Sequence, residues 1–383
     1  MCKKVLIMSA STGGGHNRAA KAIKEELIKK TVNGSNIQCE IIDSLKLVNS
    51  TMDKIISRGY EKSAIYTPNA YGKVYRFSEN GLISKNEFKG NMITSLMAKR
   101  FKKLLLDEQP DLIIGTHPFP MIALSTLKKQ YKDYSDKFPK LISVLTDYTT
   151  HSTWIQHELD YYIVGHEFVK ELLISEGVDD YKIKPIGIPV EKSFLNHRDR
   201  NIVLSEFGLN PDKLTVLLMG GSFGAGNIRE TFDEMIQIDR DFQILVVTGR
   251  NESLKEKLLK VVDNTDISKN IHILGFTDKM NDILASIDVL ITKPGGLTTT
   301  EAILKELPMI VPYYIPGQEE ENLDFLCNCG CALRTTKKYT LSVLLKILID
   351  NPDRLEIIKK NISSIKKINS SENIASLVQK ELS

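Results

Sequence analysis

The chain has 383 residues, of which 42% are hydrophobic and 26% charged, so it is long enough to form two domains with buried cores. No run of about 18 apolar residues predicts a membrane span, and residues 1–10 are typical of a strand that leads into a glycine turn, not of a signal peptide. Five cysteines, an odd number, do not suit a secreted disulfide framework. These features argue against a membrane-spanning or disulfide-rich secreted protein and predict a cytoplasmic one.

The formal net charge of +3 hides a difference between the two halves of the chain. The first 200 residues hold 30 Lys and Arg against 23 Asp and Glu, whereas the remaining residues hold 21 against 25. Residues 52–103 concentrate the excess, with 11 basic and 4 acidic side chains among seven aromatic ones. This pattern favours an anionic membrane surface, and its alternative is a solvated helical face over a small aromatic core. No helix-turn-helix, zinc module or RNP-like segment favours nucleic acid.

Strands alternate with helices along the chain, which predicts an α/β protein made of two doubly wound, mainly parallel sheets. The strands predicted for the first domain, residues 1–195, are 5–8, 37–42, 111–115, 141–145, 161–164 and 183–186. Those predicted for the second domain, residues 196–360, are 215–219, 244–247, 271–274, 289–291 and 309–311. Residues 361–383 are predicted to form a C-terminal helix that packs back toward the first domain. Ligands of such sheets bind at the carboxyl ends of the strands.

The loop STGGGH at residues 11–16 follows the first predicted strand and opens a helix, so its backbone amides can approach a ligand. It is not a dinucleotide fingerprint, because Arg18 stands where a third small residue is needed. His16 is a candidate base for an acceptor hydroxyl, and its alternative role is that of a capping or packed side chain. Asp147 and His117 each end a predicted strand, so we expect them near the same site.

Residues 293–322, KPGGLTTTEAILKELPMIVPYYIPGQEEEN, combine helix-terminal amide donors with a cluster of acceptors, a pattern typical of a nucleotide-sugar site. The glycine pair Gly295 and Gly296 allows close approach to the start of a helix, where free amides favour a phosphate. The hydroxyls of Thr298 and Thr299 add donors. Glu301 lies one turn later and suits ribose hydroxyls. The next loop carries Gln318 and Glu319, which suit a sugar, and a solvated acidic run after a helix cap is the alternative.

Four further segments carry weaker signals. The glycine loop at residues 217–227 follows the first strand of the second domain and can complete a diphosphate cradle. Phe276 follows another strand and can support a base, or can be a core residue. The CNCGC stretch at residues 327–331 lacks a second ligand cluster, so it is interpreted as small buried residues and not as a metal site. The one DxD sequence, at residues 239–241, precedes a strand and is interpreted as a surface turn.

Five motifs together resemble one known family. They are GGGH at residues 13–16, TDYTTHSTW at 146–154, GGSFGAG at 220–226, KPGGLTTTEA at 293–302 and PGQEEEN at 316–322. Their order and spacing are similar to those of the diacylglycerol sugar transferases, which comprise the processive diacylglycerol glucosyltransferases and the monogalactosyldiacylglycerol synthases of glycosyltransferase family 28. The resemblance covers nearly the whole chain. It implies a GT-B fold, in which two Rossmann-like domains face a central cleft, a UDP-hexose donor, and a diacylglycerol acceptor in an anionic membrane.

The resemblance also implies roles for individual residues. On the donor side, the diphosphate would be lined by Gly220, Gly221, Ser222 and Thr298, beside Gly295, Gly296 and Thr299 of the helix start described above. Phe276 would contact the uracil and Glu301 the ribose. The hexose would contact Gln318, Glu319 and Asn322. His16 and Asp147 would be the catalytic pair. His16 is favoured as the base, and Asp147 remains the alternative base. Gly14, Gly15, His117 and Trp154 would lie on the acceptor side. Members of this family need no tightly bound metal or cofactor, and the enzyme is expected at the inner face of the cell membrane.

Two alternatives share the donor site. One is the lipid-linked N-acetylglucosaminyltransferase of peptidoglycan synthesis, whose sugar-facing stretch differs from PGQEEEN. The other is a non-catalytic sensor that binds a UDP-sugar without turnover. The sequence leaves glucose against galactose open, as well as the number of sugars added.

Overall fold

The computed structural model describes residues 2–10, 14–48, 92–130, 138–220 and 226–383. The predicted donor residues Gly221 and Ser222 lie outside these ranges, as do residues 52–91 of the basic and aromatic stretch. The chain divides into two compact units. The first is formed by Met1–Lys192 together with Lys367–Ser383, and the second by Ser193–Lys366.

The strands of the first unit are β1 Lys4–Ser9, β2 Thr31–Val32, β3 Ser35–Asn36, β4 Gln38–Asp43, β5 Leu112–Gly115, β6 Lys140–Val144, β7 Tyr161–Ile163 and β8 Ile183–Lys184. Those of the second unit are β9 Thr215–Met219, β10 Gln243–Val247, β11 Ile271–Leu274, β12 Val289–Ile291, β13 Met309–Val311 and β14 Ala332–Arg334. Apart from the antiparallel pair β2 and β3, every strand pairing in the described parts of the chain is parallel.

The helices of the described residues follow the strands. They are α1 Gly15–Leu27, α2 Ser44–Val48, α3 Met92–Glu108, α4 Pro118–Gln130, α5 Glu167–Ser175, α6 Arg200–Glu206, α7 Ile228–Ile236, α8 Glu252–Asn264, α9 Met280–Ala285, α10 Gly296–Leu304, α11 Gln318–Asn328, α12 Leu341–Asp350, α13 Pro352–Ile365 and α14 Ser370–Leu382. Among these helices, none is long and apolar enough to pass through a bilayer.

The sheet of the first unit is buried on both faces, because successive residues of a strand point to opposite sides. Val5 of β1 packs in one hydrophobic cluster with Ile23 of α1 and Ile374 of α14. The next residue, Leu6, packs in the other cluster with Phe101 of α3. Each such fully buried side chain contributes about 1.5–3 kcal/mol relative to an exposed one. The C-terminal helix α14 is therefore part of the core of the first unit.

Each sheet has one point where the strand order reverses. The first unit has the order β4-β1-β5-β6-β7-β8, so the connections leave in opposite directions after β1 and β5. The second has the order β11-β10-β9-β12-β13-β14, which reverses between β9 and β12. Loops diverge at such a switch point and leave a crevice outside the carboxyl ends of the two strands, where α/β proteins bind their ligands. The candidate ligand sites are therefore formed by the loops after β1 and β5 in the first unit, and by those after β9 and β12 in the second.

The predicted fold class is confirmed, since both units contain a six-stranded parallel sheet among the described residues. Every predicted strand is present to within two residues. The hairpin of β2 and β3 and the edge strand β14 were not predicted. Asn33 and Gly34 join the hairpin with φ values of 50° and 76°, and an Asn-Gly pair is the usual signal for such a turn.

Candidate active site

His16 lies at the switch point of the first unit, as the second residue of α1. The helix begins directly after Gly14, whose φ of 73° lies in the left-handed region that favours glycine. The neighbouring strand β5 pairs with β1 so that Met8 lies opposite Gly115, and the amide of Thr116 donates to the Met8 carbonyl. This register brings the end of β5 directly beside the start of α1.

Thr116 holds His16 through two hydrogen bonds. Nδ1 of His16 lies 2.7 Å from the Thr116 carbonyl oxygen, and the Thr116 hydroxyl donates to the His16 carbonyl at 3.1 Å. A third contact joins Nδ1 to the Thr146 hydroxyl at 3.0 Å. Because a carbonyl only accepts hydrogen bonds, Nδ1 must carry the proton, and Nε2 of the neutral ring keeps its lone pair. The ring is thus oriented by one nitrogen and available as a base through the other.

Burial lowers the pKa of His16 below its ordinary value, while the charge of Asp147 and the bond to Thr116 act in the opposite direction. The imidazole is therefore neutral at pH 7, which is the form that can take a proton. Asp147 follows β6 and is partly buried. It acts on His16 through its charge.

His117 lies against His16, with ring centroids 4.6 Å apart in an edge-to-face arrangement. Its Nδ1 accepts the amide N–H of Phe119 at 3.2 Å. Burial holds the pKa of His117 well below its ordinary value. Trp154, which was predicted on the acceptor side, is buried in the hydrophobic cluster that also contains Phe101, and its contact with an acceptor stays a prediction.

The switch point of the second unit is built mainly from backbone. β12 ends at Ile291, and the loop to α10 passes through Gly295, whose carbonyl accepts the amide of Thr299 at 2.8 Å as the helix begins. No side chain caps this helix start. The hydroxyl of Thr299 is fully buried and has no hydrogen-bond partner in the described parts of the chain. A helix start of this kind, with open amides and a spare hydroxyl, is suited to an anionic group.

The first turn of α11 is tied to the loop after β12. The carboxylate of Glu319 forms an ion pair with Lys293 and accepts the amide of Ile315 at 2.9 Å. The buried side chain of Asn322 donates to the Pro294 carbonyl at 3.0 Å. Gln318 and Glu319 were predicted in a loop, and the structure has them as the first residues of a helix. These contacts fix the first turn of α11 against the loop between β12 and α10.

The remaining predicted donor residues occupy different environments. Glu301 is buried within α10, with 5% of its surface exposed. Phe276 is 62% exposed, and the guanidinium of Arg250 lies 5.4 Å from its ring centroid, so the core alternative is excluded and a face remains for a base. Gly220 is buried at the end of β9, and Thr298 is partly buried in the first turn of α10. Their contacts with a donor stay predictions.

Comparisons with known proteins identify the family of the chain. The family model described as monogalactosyldiacylglycerol (MGDG) synthase matches residues 16–190, and that of the glycosyltransferase family 28 C-terminal domain matches residues 215–373. The processive diacylglycerol beta-glucosyltransferase of Bacillus subtilis is 30% identical over 384 residues, which cover 99% of this chain and 95% of that protein. The chain belongs to the family of diacylglycerol glycosyltransferases.

Solved structures support the GT-B fold of this glycosyltransferase. MurG of Acinetobacter baumannii matches with a TM-score of 0.61 and 16% identity, covering 99% of both chains. Anabaena HepE in complex with UDP-glucose matches with a TM-score of 0.55 and 12% identity, covering 98% of this chain and 99% of that one. At such identities the likeness concerns the fold alone. It is the family membership that favours diacylglycerol over the peptidoglycan alternative.

Sequence reasoning missed three residues that shape the two switch points of the glycosyltransferase, namely Thr116, Thr146 and Tyr313. Thr116 directly precedes His117 and Thr146 directly precedes Asp147, so both adjoin predicted site residues at strand ends. Tyr313 follows β13 and lies so close to Gly226 that a side chain at position 226 would meet its ring. Its hydroxyl also donates to the Met219 carbonyl at 3.3 Å. No sequence signal separates such a contact from ordinary packing.

The interpretations of the cysteine and DxD sequences can be compared with the structure. Only Cys331 is fully buried, whereas Cys327 and Cys329 are partly exposed, so the interpretation as small buried residues is correct for Cys331 alone. Burial raises the pKa of Cys331 to about 12 and that of Cys329 to about 11, which suits unreactive thiols. Arg240 of the DxD sequence pairs with Asp350, and Asp241 pairs with Lys213, in exposed ion pairs. No group of three or more potential metal ligands occurs in the described portions of the glycosyltransferase.

Proposed function

We propose that this glycosyltransferase is an inverting enzyme that transfers a hexose, with glucose favoured over galactose, from a UDP-sugar to the free hydroxyl of diacylglycerol. In this mechanism, Nε2 of His16 takes the proton of the hydroxyl as its oxygen forms a bond to C1 of the hexose. The bond between C1 and the diphosphate oxygen breaks, and UDP leaves with the electron pair. Asp147 stabilises the imidazolium through its charge.

The observation that carries this proposal is the contact between Nδ1 of His16 and the Thr116 carbonyl. It supports a fixed tautomer with a free lone pair on Nε2, and the lowered pKa keeps that lone pair unprotonated at neutral pH. A single displacement at C1 needs one such base. General base catalysis of this kind contributes roughly 100- to 10,000-fold to a rate.

The second unit is proposed to hold the donor. The start of α10 and the Thr299 hydroxyl would bind the diphosphate, where fixed amide dipoles stabilise the charge that develops on UDP. The ribose would bind Glu301 and the uracil would stack on Phe276, whose ring is exposed. Gln318, Glu319 and Asn322 remain the proposed hexose contacts. The UDP-glucose complex of HepE, a protein of the same fold, supports a UDP-sugar donor.

The first unit is proposed to bind the acceptor at the inner face of the cell membrane. The described part of the basic stretch contributes an exposed cationic face on α3, formed by Lys99, Arg100, Lys102 and Lys103. Such a face favours an anionic lipid surface, with each cation contributing about 1 kcal/mol. The relatives named as beta-glucosyltransferases support diacylglycerol as the acceptor and glucose as the sugar.

The experiment that tests the proposal supplies the purified protein with diacylglycerol vesicles and, in turn, UDP-glucose, UDP-galactose and UDP-N-acetylglucosamine. The expected product is a β-linked hexosyl diacylglycerol, identified by its mass and by the anomeric coupling in its NMR spectrum. An α-linked product would contradict inversion. Donor binding without turnover would instead favour a sensor, and transfer of N-acetylglucosamine to a polyprenyl acceptor would favour the peptidoglycan enzyme.

A further inference from the structure

The two ring nitrogens of His117 differ, because Nδ1 binds the backbone and Nε2 is available to a ligand. Nδ1 accepts the amide N–H of Phe119, so the proton of the neutral ring lies on Nε2. Burial keeps this ring neutral by holding its pKa well below the ordinary value. Within the described ranges, Nε2 of His117 makes no hydrogen bond. A fixed N–H donor is therefore left without a protein acceptor there.

The same local arrangement occurs after the next two strands of the sheet. Nδ1 of His151 accepts the amide of Thr153, and Nδ1 of His166 accepts the amide of Phe168, each at 3.2 Å. A backbone amide thus sets the same tautomer in all three rings. His166 directs its Nε2 to the carboxylate of Glu167 at 3.3 Å. His117 instead lies beside His16, and its Nε2 has no hydrogen-bond partner among the residues that the structure describes.

His16 and His117 are complementary in their hydrogen bonding. His16 presents a lone pair on Nε2, because its Nδ1 proton is held by Thr116, and His117 presents a proton on Nε2. The rings are 4.6 Å apart between centroids. An acceptor that meets this pair needs a hydroxyl to give its proton to one ring and an oxygen to receive a hydrogen bond from the other.

Diacylglycerol has one hydroxyl and two ester groups. Its hydroxyl oxygen is the nucleophile, and a hydrogen bond donated to that oxygen would lower its reactivity. The ester carbonyls are then the strongest acceptors that remain. We propose that Nε2 of His117 donates a hydrogen bond to the ester carbonyl nearest the reacting hydroxyl, so that His117 binds and orients the acceptor beside His16. This inference rests on the proposed function, because it requires diacylglycerol as the acceptor.

Two substitutions of His117 separate its role as a helix cap from its role as a hydrogen-bond donor to the lipid. His117→Asn keeps an acceptor close to Nδ1, where asparagine is a favoured capping residue, and removes the distal N–H. The expected result is a rise of about 3- to 10-fold in the KM for diacylglycerol in mixed micelles, which corresponds to one neutral hydrogen bond. The KM for the UDP-sugar and the midpoint of unfolding should not change. His166→Asn, which alters the equivalent cap after β7, is the matched control and should leave every kinetic constant unchanged.

A second acceptor identifies the atom that is bound. Ether-linked dialkylglycerol keeps the hydroxyl but lacks both carbonyls, so the unchanged enzyme should show the same rise in acceptor KM with this lipid. His117→Asn should then add no further loss. His117→Gln, whose longer amide extends a donor toward the position of Nε2, should recover part of the affinity for the ester lipid although it loses the cap.

The outcomes distinguish this inference from the function on which it rests. An unchanged KM for diacylglycerol in His117→Asn, in an enzyme whose unsubstituted form transfers hexose to that lipid, would overturn the role of His117 alone. Equal losses with the ester and the ether lipid would also overturn it, because they would show an effect that does not involve the carbonyl. No transfer to either lipid by the unsubstituted enzyme would remove the proposed function and this inference with it.

Discussion

The two switch points have the same position in their sheets but are made of different chemical groups. In the first unit, His16 lies at the start of α1 and His117 follows β5, and each ring has one nitrogen engaged with the backbone. In the second unit, the corresponding loop presents glycine, a helix start without a side-chain cap and a buried threonine hydroxyl. Proton transfer requires a titratable group in a fixed tautomer, whereas anion binding requires fixed N–H dipoles. The difference therefore supports our proposal that the first unit carries the proton chemistry and the second binds the diphosphate.

The two switch points are also held together differently. His16 is oriented by neutral hydrogen bonds to Thr116 and Thr146, which leave the charge of Asp147 to act on the ring. The loop after β12 is held by the ion pair of Lys293 and Glu319, both mostly buried. A nearby permanent cation would disfavour an imidazolium, but it does not harm a site that binds an anion.

The largest expected effect comes from His16→Ala. If the base lies in the first unit, kcat should fall by roughly 100-fold or more, while the affinity for UDP should change little. The measurement is the initial rate of glycolipid formation together with UDP binding by calorimetry. His197→Ala, at an exposed position outside both switch points, is the control and should be fully active. An unchanged kcat in His16→Ala would remove the proton chemistry from this unit.

Glu301→Gln should weaken the binding of UDP, whereas His16→Ala should lower kcat. Loss of charge-assisted hydrogen bonds to a ribose costs about 1.5–3 kcal/mol, so the Kd for UDP should rise roughly 10- to 100-fold. The acceptor KM should stay constant, because the residue lies in the donor unit. Calorimetry with UDP measures the effect, and circular dichroism tests whether the buried α10 remains folded. An unaltered Kd would contradict the ribose assignment.

The sequence predicted the strands better than it predicted how the site groups are arranged. Parallel strands buried on both faces, such as β1, β5 and β9, appear as short apolar runs, so they could be located without coordinates. The edge strand β14 has three residues, of which two are only partly buried, and so carries no such run.

The groups of the first switch point illustrate what the sequence could not give. The position of His16 after a glycine turn was visible, but its tautomer depends on the carbonyl of Thr116, 100 residues later in the chain. The same holds for Glu319, whose carboxylate is engaged by Lys293 across 26 residues. Sequence patterns indicate which residues lie at strand ends, whereas contacts between different strand ends follow only from the register of the sheet.

The basic face of α3 tests whether the first unit, and not the second, binds an anionic membrane. Lys99→Gln with Lys103→Gln removes two exposed cations that lie one helical turn apart, which should weaken binding to anionic vesicles by roughly 30-fold at about 1 kcal/mol per cation. Vesicle sedimentation at low and high salt measures this effect, which salt should diminish. The matched control is Lys257→Gln with Lys260→Gln on α8 of the second unit. Equal sedimentation of both double variants would contradict a membrane role for α3.

The smallest expected effect concerns pH and decides between His16 and Asp147 as the base. Burial lowers the pKa of His16 below its ordinary value, and the charge of Asp147 partly offsets this. Because the neutral ring is the active form, the rate should fall only when the pH drops through this lowered pKa, below about 6.5. Asp147→Asn removes the offsetting charge, so the pKa of His16 should fall further and the acid limb of the kcat/KM profile should move to lower pH. The plateau rate should fall as well, because the imidazolium loses the charge that stabilises it. If Asp147 were itself the base, no active fraction with a displaced acid limb would remain.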